Sequence, residues 1–171
     1  MRLSPQSALL SCLLLAAMAH GASAQSSVLG GGGFERILGL SGDAVAFTYR
    51  RTEVSRRGSG LDLAIGLFPA ALGMRTVRLQ VDAGFAATQT IGPAALVLKA
   101  GVGSLMDLGV STRLIPGLQA GVAAIIPLER RCALRLDLTR RQLFPDGEPV
   151  ALWSLGVGLT VRSAGRPAPG R

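Results

Sequence analysis

The sequence predicts an all-β chain, a single antiparallel up-and-down β-barrel of eight strands, membrane-embedded with one face of each strand in lipid. Three observations predict it. Apolar residues recur at every second position along most of the chain, the period of a strand with two unlike faces. The positions between them mix isolated charges with Gly, Ala, Ser and Thr. Segments rich in Gly, Pro, Ser and Asp then punctuate the alternation at regular spacing, as turns do.

The first residues stand outside that pattern. "MRLSPQSALLSCLLLAAMAHGASAQ" has one early positive charge, an apolar run from Ala8 to Ala19 and the small-residue ending Ala22-Ser23-Ala24 before Gln25. That layout is a cleavable secretory signal over residues 1–24, and the run is too short to cross a membrane. Cys12 within "LLSC" loosely matches a lipid-attachment box, but cleavage there would leave most of the apolar run on the product. Residues 25–163 are then the barrel domain. Residues 164–171 form a Pro/Gly/Arg tail, expected to be disordered because it has almost nothing to bury.

Along the barrel domain, strands are expected at 28–40, 43–54, 61–70, 75–90, 94–106, 113–127, 132–144 and 150–163. The first is the weakest, because Gly30 to Gly33 carry no side chains that could alternate. In "AVAFTYRRT", Val45, Phe47 and Tyr49 oppose Ala46, Thr48, Arg50 and Thr52; in "LDLAIGL", the leucines oppose Asp62, Ala64 and Gly66. "VRLQVDAGFAAT" sets Arg78, Gln80 and Asp82 against Val77, Leu79 and Val81, and "LVLKAGV" sets Lys99 against Leu98 and Ala100. "ALRLDLTRR" alternates leucine with Arg135, Asp137, Thr139 and Arg141, and "LWSLGVGLTVR" alternates Trp153 and Leu155 with Ser154 and Gly156. Pro116 in "RLIPGLQ" marks a bulge or a turn that would alter the strand count.

Such strands suit either a soluble barrel with its polar face in water or a membrane barrel with its polar face inside. The polar face decides between them. A solvated surface is dense in long charged side chains, whereas small residues with a few charges fit a cramped interior. An even strand number brings both chain ends to the periplasmic side, with "SRRGSG", "TIGP" and "PLERR" beside them and "FPAALGM", "DLGVST" and "PDGEP" outside. The interior polar set is then Arg50, Asp62, Arg78, Asp82, Lys99, Gln119, Arg135, Asp137 and Arg141, read as a salt-bridged structural plug with Asp62 beside Arg78 and Asp137 near Arg135 and Gln119.

Several function classes are excluded. The only histidine, His20, and one of the two cysteines, Cys12, lie in the signal, so the exported chain has no Ser-His-Asp or Cys-His arrangement, no histidine metal site and no internal disulfide. No catalytic residue, cofactor-binding motif or metal site is expected; the glycine runs lack the spacing of a nucleotide cradle. Cys132 reads as a small apolar residue at a strand start. The sequence carries eighteen basic and ten acidic residues, but the arginines are scattered through apolar alternation without a basic stripe, so nucleic acid is not a partner. The pairs Arg56-Arg57 and Arg130-Arg131 are read as turn residues that meet anionic lipid head groups.

With "LKAGVGSLMDL" followed by "GLQAGVAAIIPLERRCALRLDLTRR", the chain resembles the small outer-membrane β-barrel proteins of Gram-negative bacteria, over residues 43 to 163. It departs from them in having few aromatic residues and in following its last strand with "SAGRPAPGR". The resemblance implies an outer-membrane location and the lipid bilayer as partner. The expected role is a non-enzymatic structural or interaction barrel with a filled polar interior. The alternatives are a soluble secreted or periplasmic lipocalin-like barrel that binds an apolar ligand, and a small pore.

Overall fold

The computed structural model describes residues 27–38, 44–55, 58–68, 77–108 and 112–164. The expected signal, most of the expected tail and the Arg56-Arg57 pair lie outside the described residues. Eight strands follow in chain order: β1 (Ser27–Leu38), β2 (Ala44–Val54), β3 (Ser59–Phe68), β4 (Val77–Ile91), β5 (Ala94–Leu108), β6 (Arg113–Pro127), β7 (Cys132–Leu143) and β8 (Val150–Ala164). Each is antiparallel to its neighbours in sequence, and β1 pairs with β8 to close the barrel. Closure leaves no sheet edge, so the backbone groups of the strands are paired around the whole circumference, as a bilayer demands.

The strands form where period-two alternation lets one face enter lipid and the other the lumen. The side chains of Phe85, Leu98, Leu118, Leu155 and Leu159 point outward, each more than half exposed, while Asp62, Gln80 and Asp82 are at most 1 % exposed. This orientation is opposite to that of a soluble carrier, whose apolar faces turn inward.

The first strand is complete despite its glycines, pairing from Ser27 to Ile37 with β2 and to Leu38 with β8. The glycines have a structural cause. At Gly31 and Gly33 a Cβ would run into the β8 backbone at Leu159 and Val157, so the closing seam accepts no side chain there. On the outer face, the Phe47 ring from β2 lies over Gly32 and meets Phe34 edge-on, with ring centroids 5.9 Å apart.

Pro116 neither bulges out nor ends the strand. It lies within β6 opposite Ser104, one residue beyond the last β6–β7 pair, Gly117 with Leu143. Its carbonyl accepts the Phe144 N–H at 2.8 Å, so the missing proline N–H faces the end of β7, beyond the last β6–β7 pair. β8 runs one residue into the expected tail, to Ala164.

Candidate functional site

Among the described residues, the lumen gathers the largest set of buried polar side chains. Four cations, Arg50, Lys99, Arg135 and Arg141, and four anions, Glu35, Asp62, Asp82 and Asp137, occupy inward positions on β1, β2, β3, β4, β5 and β7. They connect as one chain of alternating sign. Lys99 Nζ lies 2.5 Å from Asp137 Oδ1, whose other oxygen is 2.8 Å from Arg135 Nε. Arg135 also reaches Asp62 at 3.4 Å, and Asp62 is held by Arg50 at 2.8 Å. Arg50 continues to Asp82 at 3.8 Å, and Arg141 spans from Asp82 at 2.7 Å to Glu35 at 2.6 Å. Hydroxyls and an amide fill out the coordination. Thr52 donates to Asp62 at 2.6 Å and accepts from Arg135 at 2.7 Å, Gln80 donates to Asp82 at 2.7 Å, and Ser154 accepts from Arg141 at 2.6 Å.

Two apolar clusters cap this belt. Toward the end opposite Ser27 and Ala164, Ile37, Phe68, Leu105, Leu143 and Leu152 pack across the lumen; toward the other end, Leu29, Val97, Ala123 and Ile125 do the same. The space beside the ions, against Gly33 and Gly158, is about 30 Å³. That accommodates a water or two.

Of the nine residues expected inside, seven are in or against this belt, and the remaining two have other neighbours. Arg78 is not beside Asp62. The β3–β4 register sets Asp62 opposite Gly84 and Arg78 opposite Phe68, so Arg78 pairs instead with Asp107 at 2.7 Å near the outer rim, where it is about a third exposed. Gln119 does not approach Asp137 either. Its register partner on β7 is Arg141, and its amide donates to the Val102 carbonyl at 3.5 Å. Glu35 was missed; inward parity on β1, opposite to Phe34, was the available signal. Arg130 and Arg131 line the mouth of the lumen at the β6–β7 turn.

A closed eight-stranded barrel with an exposed apolar belt and a buried charge network defines a transmembrane β-barrel with a filled lumen. No family model matches the sequence, and no curated protein matches it. Solved structures do match in fold. The N-terminal β-barrel domain of Pseudomonas aeruginosa OprF superposes with a TM-score of 0.65 at 10% identity, covering 81% of this chain and 98% of that one. The outer membrane protein OprG from the same organism gives 0.59 at 11% identity, covering 84% and 98%. Neisserial surface protein A gives 0.52 at 16% identity, covering 83% and 99%. In fold, the chain is similar to the eight-stranded outer-membrane β-barrels of Gram-negative bacteria.

Proposed function

We propose that the protein is a non-enzymatic structural or interaction barrel whose interior is a fixed plug. The observation that carries this reading is the neutral ion chain sealed between two apolar clusters. Each interior carboxylate already lies against a guanidinium or ammonium group, so none is a free base, and the apolar caps bar a substrate from reaching them. A pore would need side chains that swing aside, and here each belt charge is held by at least one partner of opposite sign.

The test is reconstitution in a planar bilayer. No steady ion conductance is expected from the purified protein, and none from Asp82→Asn. Reproducible single-channel steps that shift when Asp82 is neutralised would reclassify the protein as a small pore.

The exposed apolar belt is the lipid-contacting surface, and outward arginines extend that contact to anionic head groups. Arg140 lies over the Trp153 ring at 5.8 Å near the outer rim, an amphipathic pair that suits the interface, and Arg51 stands outward near the other rim. Export relies on residues 1–24. The protein recovered from membranes is expected to begin at Gln25, measured by intact mass; a lipid on Cys12 would refute that processing.

A further inference from the structure

The turns that share an end with Ser27 and Ala164 are short, and the shortest is Gly92-Pro93; short turns mark the periplasmic end of such barrels. Charge differs between the two ends of the barrel. From residue 27 onward the sequence holds seventeen bases and ten acids, and the four of each in the belt cancel. Among the described residues, four bases toward the opposite end, Arg36, Arg78, Arg113 and Arg140, stand with three acids, Asp107, Asp146 and Glu148. Toward the end that carries Ser27 and Ala164, the described residues include four bases, Arg51, Arg130, Arg131 and Arg162, and two acids, Glu53 and Glu129. Of those six, Arg130, Arg131, Arg162 and Glu129 line the mouth itself, three bases against one acid.

That mouth is also concave. A cavity of about 320 Å³ opens there, with the inner apolar cluster as its floor, at Leu29 and Ile125. Arg130, Arg131 and Arg162 stand on its rim, and the turn that carries the first two is fixed by the Arg162 N–H, which donates to the Arg131 carbonyl at 2.8 Å. Thr88 and Thr90 line its wall, and the Thr88 hydroxyl oxygen is buried without a protein partner.

We propose that this vestibule docks an acidic peptide segment of a periplasmic partner, its carboxylates on the rim arginines and one apolar side chain on the Leu29–Ile125 floor. The closed barrel favours this occupant over lipid. The paired wall admits nothing sideways from the bilayer, so a ligand enters along the axis from water. The chain's own last residues do not suit the rim, since residues 165–171 carry Arg166 and Arg171 and no acid. The Thr88 hydroxyl, which has no protein partner, would donate to a carboxylate or backbone carbonyl oxygen of that segment.

The experiment uses the full chain in nanodiscs of zwitterionic phosphatidylcholine and a fluorescein-labelled hexapeptide of alternating glutamate and leucine, followed by anisotropy. The acidic peptide is expected to bind and its lysine counterpart not to bind. Arg130→Gln with Arg131→Gln should weaken binding about 10-fold, the sum of two exposed charge contacts. Thr88→Val should weaken it about 3-fold with no change in charge. Arg51→Gln removes one positive charge from the outer wall, away from the cavity, and should leave binding within about 1.5-fold. Failure of the acidic peptide to bind would overturn the proposal. So would an Arg51→Gln loss equal to that at the rim, which would mean a diffuse field, or full displacement of the peptide by phosphatidylglycerol in the nanodisc, which would make the lipid head group the occupant.

Discussion

Arg141→Met is expected to be the most destabilising single substitution in the lumen, costing about 3 to 5 kcal/mol, the range for removing one partner of a buried ion network. Arg141 is 2 % exposed and bridges Glu35 on β1 to Asp82 on β4, with Ser154 on β8 as a third partner. Without it Glu35 keeps the Thr48 hydroxyl, at 3.4 Å, and the Ser154 hydroxyl, and two buried carboxylates lose their nearest cation. The measurement is guanidinium unfolding in lipid vesicles, followed through Trp153, the single tryptophan. Adding Glu35→Gln and Asp82→Asn to Arg141→Met should restore most of the loss, because neutral amides carry no unpaired charge. If the single variant unfolds like the parent, the buried network is not what holds these strands together.

Leu136→Arg is the matching test of the outer face. Leu136 points outward midway along β7, between Ala124 and Val157, so an arginine there would sit near the bilayer midplane at a cost of about 2 to 4 kcal/mol. Asp137→Leu, one residue on but facing the belt, should destabilise for the opposite reason: it leaves the Lys99 ammonium without its 2.5 Å partner. Vesicle unfolding of both variants, with unboiled and boiled samples compared on a gel to confirm closure, checks the assignment. A tolerated Leu136→Arg together with a harmless Asp137→Leu would reverse the two faces.

Strand number and the facing of each side chain were legible in the sequence because both are properties of one strand at a time. Leu136 and Asp137 declare opposite faces by parity alone, and the same reasoning places Lys99 and Arg135 inside. The glycine run hid β1 and with it Glu35, since residues 30–33 offer no alternation and the glutamate had no inward side chain just before it to keep company with. Contacts between strands were less legible. Arg78 and Asp62 lie on neighbouring strands, yet the register displaces them by six residues, and Arg78 finds Asp107 on the other side. The Arg141–Glu35 pair joins β7 to β1 across β8, a meeting that depends on barrel curvature and on the small residues of β8 beneath it. The cavity at the periplasmic mouth was not visible at all, because it is assembled from strand ends far apart in the chain.

The wiring of the ion chain has a consequence for how the barrel comes apart. Its contacts mostly join strands that are not neighbours: β1 to β7, β2 to β4, β3 to β7 and β5 to β7. A hairpin or an open sheet of the same strands would satisfy few of these contacts and would hold uncompensated charge on the face that must leave water. Partial structures are therefore penalised twice, for open edges and for unmatched ions, and the free energy gained by closing arrives in one step. β7, which supplies Arg135, Asp137 and Arg141, is the strand whose arrival completes the account, so chains that lack it should gain no protection from protease in any portion of the sheet, rather than behave as a slightly weaker barrel.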